Sequence, residues 1–327
     1  MTNFNDVVSQ FRIEGTVESV SPIGNGLINE TLRVKTVDAN TPDYILQRIN
    51  NAIFTDVDLL QHNIELVTDH IRHKLMEKGE TDIERKCLRF VQAKDGKTYY
   101  KDADDRYWRV SVFIPDAITK EEVNPESAFC CGETFGNFQN MLVDLKKPLG
   151  ETIPDFHNME LRLRQLREAV SADKAGRVAS VKDILAELER DADEMCLAER
   201  LYREGTLPKR ICHCDTKVNN MMFDKDGKVL CVIDLDTVMP SFIFSDYGDF
   251  LRTGANHVAE DSDNYDAVGY ILFVHRGLSQ YCRQLPYPCR DKSSALRCST
   301  VPIHAVRSFL GRLHQRRRLF QGEIPRA

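Results

Sequence analysis

The sequence predicts an α+β protein in two lobes, a small β-rich lobe followed by a larger helical one. Three observations carry this. Strand-like segments in the first fifty residues flank Asn25-Gly26, a dipeptide that tolerates the positive φ of a tight hairpin. Apolar residues then recur in steps of three and four at Val57, Leu60, Ile64, Val67, Ile71 and Leu75, marking one face of a single long helix. Past Pro115 the apolar period is mainly helical.

In order along the chain, Thr16 to Val20 reads as a strand interrupted at Pro22-Ile23-Gly24-Asn25-Gly26. The chain returns through Asn29 to Lys35, and Tyr44 to Ile49 forms a third strand before the helix. Two more strands, Lys97 to Lys101 and Tyr107 to Ile114, are joined by the polar turn 102–105. Pro115 ends the second because it has no N–H for a ladder. Helices are expected at 126–146, 158–172 and 181–203, then short strands near Ile211 and over Val229 to Leu235, then a helix from Tyr247. The pattern divides the chain into an N-terminal lobe 1–114, a helical lobe 115–270 and a tail 271–327.

The net charge of −6 is unevenly spread. From Tyr270 onward ten Arg and one Lys face only Asp291 and Glu323, a net of +9 that leaves −15 on the residues before it. The apolar and charged fractions, 42% and 29%, exclude a disordered or collagen-like chain. No apolar run approaches the roughly 18 residues of a membrane span, and the N-terminus has no basic-then-apolar leader. The ten cysteines form no CxxC pair. The expectation is a cytoplasmic protein with reduced thiols, and Cys212-His213-Cys214 lacks the ligand spacing of a zinc site.

The most informative stretch is His213-Cys214-Asp215-Thr216-Lys217-Val218-Asn219-Asn220, followed by Ile233-Asp234-Leu235-Asp236. Phosphoryl transfer from ATP needs a carboxylate near the attacking hydroxyl, a cation for the transferred group and oxygen ligands for Mg2+. Asp215, Lys217 and Asn220 supply these types in one short loop, and a following strand brings Asp234 as an anionic ligand.

H-x-D-x-K-x-x-N followed by a strand-borne Asp resembles the catalytic loop and metal Asp of protein kinases and of the aminoglycoside/choline-kinase-like phosphotransferases. The segments CHCDTKVNNMMFD, VIDLDTVMP, YILQRIN and IPDFHN further resemble the bacterial N-acetylhexosamine 1-kinase family, over about Val17 to Asp266. The resemblance implies a protein-kinase-like two-lobed fold, with ATP and Mg2+ as cofactors and a hexosamine as acceptor. It makes Asp215 the base, Lys217 a γ-phosphate contact, Asn220 and Asp234 the metal ligands, and His213 a structural brace. Asp249 matches the helix-start Asp that anchors the catalytic loop. Asp236 is open between assisting the metal, accepting a substrate hydroxyl and holding a turn.

In the N-terminal lobe, Gly24, Asn25, Gly26 and Asn29 resemble a phosphate-covering hairpin, where backbone N–H groups approach closely because Gly lacks Cβ. No GxxxxGK[ST] occurs, which excludes a P-loop kinase. Arg48 takes the place of the usual strand Lys, with Gln47 on the opposite face by strand alternation. Glu65 on the helix is its candidate ion-pair partner. Phe113 and Ile114 would face adenine, with the hinge N–H from Ile114 or Asp116, since Pro115 has none. For the acceptor, Asp155 and His157 are candidates, although Asp155 equally suits a helix cap. Choline, ethanolamine or homoserine are rival acceptors. A choline site should be rich in aromatics, and the single Trp108 lies in the other lobe.

Three readings of the tail stand together. It is a basic arm for nucleic acid or lipid, an unusual helical subdomain, or a segment translated out of frame. Codon arithmetic bears on the last. Gly311 to Ala327 can be encoded so that reading one base later gives DDYINGDVYFKVKYPEH, and Gly277 to Gln284 can hide GYLNIAAN. Both hidden strings resemble the C-terminal region of the same sugar kinases, which points to a frame change between Gly269 and Gly277. On that reading no nucleic-acid or membrane partner is expected, and the chain would be destabilised or inactive.

Overall fold

The structure is a computed structural model that describes residues 3–23, 29–120 and 124–254, with side chains to Phe250. The elements run α1 (Phe4–Val8), β1 (Val17–Pro22), β2 (Glu30–Thr36), β3 (Tyr44–Ile49), α2 (Val57–Glu77), α3 (Ile83–Lys86), β4 (Phe90–Val91), β5 (Tyr100–Lys101) and β6 (Tyr107–Val112). There follow α4 (Pro125–Met141), α5 (Met159–Ala172), α6 (Lys182–Arg190), α7 (Ala192–Met195) and α8 (Leu197–Arg203). The last are β7 (Arg210–Cys212), β8 (Met221–Phe223), β9 (Val229–Val232), β10 (Met239–Ser241) and α9 (Ile243–Gly254). Two compact units result. One comprises Met1–Thr119, Asp144–Ile153 and Met221–Val238; the other comprises Lys120–Val143, Pro154–Asn220 and Met239–Ala327. Two later segments thus join the first unit, whose span is wider than a boundary at 114 implies.

The first unit is built on an antiparallel sheet in the order β1-β2-β3-β6-β4, with β5 also on β6. Strand alternation sorts its side chains. Leu32, Val34, Tyr44, Leu46, Trp108 and Val110 form one face and pack against Val7, Val8 and Phe11. Helix α1, which supplies Val7 and Val8, has five residues, too few to show a helical period in the sequence. Trp108 is buried, and its indole N–H donates to Asp102 at 2.8 Å.

Helix α2 buries all six apolar positions of its predicted face and is capped by Asp56, which accepts the N–H of Leu59. It also buries Asn63, whose amide donates to the carbonyls of Gly150 (2.8 Å) and Val238 (3.2 Å) and accepts the N–H of Gly150 (3.2 Å). Gly150 is required by this approach, because a Cβ there would lie 2.6 Å from Leu59. In the hairpin of β8 and β9, Met221 pairs with Val232.

In the second unit, α4 opens with Asn124 and Ser127 bonding reciprocally and Pro125 in the first turn, and ends before the expected 146. Asn158 caps α5 by accepting the N–H of Leu161. The single helix expected over 181–203 is divided into α6, α7 and α8. The break at Asp191 (φ −100°, ψ 5°) falls where Asp191 and Asp193 cluster, and Asp competes with helical backbone bonding. Strands β7 and β10 pair with Cys212 opposite Met239, and α9 starts at Ile243, ahead of the expected Tyr247. No helix among the described residues is long and apolar enough to cross a membrane. The tail 271–327 lies outside the described residues.

Candidate active site

Strand β7 delivers the chain into the loop His213 to Lys217, and one buried carboxylate on α9 holds that loop. Asp246 accepts the N–H of His213 and the Gln139 amide on Oδ2, and the N–H of Cys214 on Oδ1, each at 2.8 Å. Cys214 has φ 64°, the left-handed region that a side chain rarely adopts. One helical turn beyond Asp246, Asp249 accepts the N–H of Thr216 at 2.6 Å and its hydroxyl at 3.2 Å. That hydroxyl also lies 2.7 Å from the Asp246 carbonyl. Spacing of i, i+3 puts both carboxylates on one face of α9. Burial pushes the Asp246 carboxyl above its ordinary value, and the charge of His213 and the N–H donors pull it back only partly.

Asp215, Lys217 and Asn220 come together on the loop so held. The ammonium of Lys217 lies 3.1 Å from Asp215 Oδ1. Asn220 donates its amide to the Asp215 carbonyl at 2.8 Å and to Oδ2 at 3.1 Å. The result is a partly exposed carboxylate in a fixed orientation with a cation beside it. Such a group can orient a hydroxyl and take its proton, while the cation steadies charge on an incoming anion. His213 has no exposed surface, and the edges of Phe135 and Phe138 flank its ring at 5.6 and 5.7 Å. It is packed inside the unit rather than presented to a substrate.

In the first unit, the antiparallel register of β8 and β9 sets Asp234. Met221 faces Val232, so Ile233 and Asp234 leave the hairpin at the end where Met221 enters it. Asp234 is exposed and left-handed, with φ 58°, and opens the turn Leu235–Thr237. Within that turn Asp236 is buried. Its carboxylate takes a bidentate fork from Arg109 at 2.5 and 3.0 Å and the amide of Asn29 at 2.8 Å. Of the roles its sequence position leaves open, this geometry matches holding the turn: Asp236 is 3% exposed and bonded through both oxygens.

The expected pairing of Arg48 with Glu65 is also corrected. Arg48 is exposed on the face of the sheet that carries Leu46, and lies 3.7 Å from Glu30. Glu65 instead accepts the Thr98 hydroxyl at 2.6 Å. On the opposite face Gln47 accepts from Arg109 at 3.0 Å, so the cation there comes from β6 rather than β3. Ile114 is buried, and the Arg33 guanidinium lies over the Phe113 ring at 4.2 Å. Gly24, Asn25 and Gly26 lie outside the described residues. Asp155 is exposed at φ 55° and accepts the amide of Asn158, which is the actual helix cap. His157 stacks on Phe156 with ring centroids 4.5 Å apart, and burial holds its pKa below 6.5 against the pull of Asp249, Asp246 and Asp215.

Mg2+ prefers hard oxygen ligands and is commonly held by one or two carboxylates plus phosphate oxygens. Asn220 fits this, because its N–H donors go to Asp215 and its Oδ1 is the remaining donor atom for a cation. Asp234 supplies an exposed carboxylate. Among the described residues no three His, Cys, Asp or Glu side chains converge as a self-sufficient metal centre. The described cysteines are free, and burial raises Cys87 and Cys231 to about 12, which disfavours the thiolate.

Asp246, Gln139, Arg109 and Thr152 were not singled out from the sequence. Asp246 carried a usable signal, since it stands three residues before Asp249 in a helical segment. The other three hold partners far away in sequence, and no local pattern marks them.

The chain is similar in fold to several solved structures. An aminoglycoside phosphotransferase from Alicyclobacillus acidocaldarius matches at TM-score 0.52 and 20% identity, covering 95% of each chain. Amicoumacin kinase hAmiN, solved with AMP-PNP, Ca2+ and Ami, matches at 0.58 and 14% identity, over 95% of this chain and 83% of that one. The GDP and kanamycin complex of APH(2")-IIia matches at 0.58 and 14%, over 98% and 93%. These neighbours and the observed elements give a protein-kinase-like α+β fold. Residues 19–279 match the model of the phosphotransferase enzyme family (APH), and the chain belongs to that family.

Proposed function

We propose that this phosphotransferase moves the γ-phosphate of ATP to the anomeric hydroxyl of an N-acetylhexosamine. The observation that carries the kinase reading is the Asp215 carboxylate, fixed by Asn220, paired with Lys217 and held on a loop whose backbone Asp246 and Asp249 clamp. Asp215 orients the acceptor hydroxyl and takes its proton as the new oxygen–phosphorus bond forms. Lys217 offsets negative charge on the transferred group. Asn220 and Asp234 would hold Mg2+, which neutralises phosphate charge. AMP-PNP and GDP in structures of similar fold support a nucleotide donor.

The sugar rests on the segment Ile153 to Asn158. There the flat face of Phe156 stacks on an imidazole kept neutral by burial, a surface suited to an uncharged ring bearing hydroxyls. A quaternary ammonium would need an open aromatic cage. The aromatic pair Tyr202 and Phe242 already carries the chain's own Lys209 ammonium, 5.3 and 5.9 Å from the two rings. The reading requires no nucleic-acid or membrane partner and suits a cytoplasmic enzyme.

The experiment is ADP release from ATP and Mg2+ across a panel of hexosamines, choline, ethanolamine and homoserine, run beside a frame-restored chain. N-acetylhexosamines should lead in both. Turnover confined to amino-alcohols overturns the sugar. ATP binding without turnover on any acceptor reassigns the chain as a nucleotide-binding protein inactivated by its tail.

A further inference from the structure

The buried pair Arg109–Asp236 has no place in the chemistry above, yet it sits two residues from Asp234. Both side chains are 3% exposed. A buried ion pair is weak evidence of stability, since apolar residues of similar volume often do as well or better. Its partners point elsewhere. Asp236 Oδ2 takes the amide of Asn29, the residue that follows the Gly24–Ile28 segment, and Asn29 Oδ1 accepts the N–H of Asn50 at the end of β3. The Thr152 hydroxyl donates to the Asp236 carbonyl at 2.8 Å. Arg109 reaches on to Gln47, whose amide donates to Thr31 at 3.2 Å. Three separated segments, through Asn29, Arg109 and Thr152, therefore meet on one turn. That turn begins with Asp234 at φ 58°, a conformation which costs a non-glycine residue on the order of 1 kcal/mol and persists only where surroundings enforce it.

We propose that Asp236 and Arg109 are positioning residues, which fix the turn bearing Asp234 and tie it through Asn29 to the end of β3, so that the metal carboxylate is set by one buried junction. The inference rests on the nucleotide reading above, and on Asp234 as a metal ligand. The carboxylate of Asp236 is placed to orient the turn, because it is buried with Arg109 on both oxygens and Asn29 on Oδ2. Residues that orient a metal ligand from behind are typically worth about 10- to 100-fold in metal affinity.

The test is calorimetric ATP binding, with and without Mg2+, by the full chain. The paired replacement Arg109→Met/Asp236→Leu fills the same space with no charge left unpaired, and Asn29→Ala removes the amide that bridges Asp236 to the N–H of Asn50. The paired variant should melt within a few degrees of wild type while its Mg2+-dependent gain in ATP affinity falls about tenfold or more. Asn29→Ala should lose part of the same gain, and its effect should shrink when combined with the paired replacement, because both act through one carboxylate. A paired variant that keeps the full Mg2+-dependent gain overturns the inference, whether or not its melting point drops. Strictly additive effects overturn the tie through Asn29. If wild type itself shows no Mg2+-dependent ATP binding, the nucleotide reading fails and takes this inference with it; equal binding by wild type and both variants sinks the inference alone.

Discussion

The carboxylate of Asp246 accepts the backbone N–H of Cys214 at 2.8 Å across 32 residues of sequence. That bond bears on the base because Cys214, next to Asp215, is left-handed at φ 64°. Without an external acceptor the loop would relax toward ordinary backbone angles and turn Asp215 away from Lys217 and Asn220.

Asp246→Ala should be the most damaging single change on α9. It leaves two buried backbone N–H groups and the Gln139 amide without their acceptor, at about 1–3 kcal/mol for each unsatisfied group. Thermal melts should show a loss of roughly 3 kcal/mol or more. Asp249→Ala, which removes the acceptor of the Thr216 N–H at the rim of the loop, should cost less than Asp246→Ala. Equal melting of the two variants would contradict the clamp.

Asp215→Asn keeps the size and most of the hydrogen bonding of the side chain but removes the base and the negative charge beside Lys217. ATP binding should persist, while kcat falls at least about 100-fold, the lower end for loss of a positioned general base. Loss of binding and turnover together would instead make Asp215 part of the nucleotide site.

How far the sequence reached depends on whether a signal is local. Helix α2 was readable because six apolar residues share one face. The loop 213–220 was readable because acid, cation and amide fall within a few residues of one another. Arg109, Asp236 and Asn29 meet over separations of 127 and 207 residues, and no period or spacing encodes such a meeting. Gln47 and Arg48 illustrate a different limit. Alternation told that they point to opposite faces, but not which face holds the buried carboxylate.

His157 gives a pH prediction with a definite sign. Burial lowers its folded pKa below the 6.5 of the free side chain, so the unfolded chain binds more protons between the two values. Its contribution to stability is fully present above pH 6.5 and is lost as pH falls through the folded value. The His157 ring should titrate below 6.5 by NMR. Wild type should lose more stability than His157→Gln as pH is lowered from 7 to 5. A midpoint at or above 6.5 would contradict the burial argument.

Arg48 and Arg109 lie on paired strands and face opposite ways, so their truncations should differ sharply. Arg48 is exposed, and its nearest carboxylate, Glu30, is 3.7 Å away. Exposed ion pairs are worth about 0–1 kcal/mol, so Arg48→Ala should leave urea stability nearly unchanged. Arg109→Met, with Asp236 intact, strands a buried carboxylate and should cost about 3–5 kcal/mol, the usual penalty for breaking a buried pair from one side. The same two variants discriminate the phosphate cation. If Arg48 holds nucleotide phosphates, Arg48→Ala will weaken ATP binding with no change in stability. Because Gln47, Arg109 and Asp236 occupy the other face of the sheet, the expected result is an Arg48→Ala protein that melts and binds ATP as wild type does.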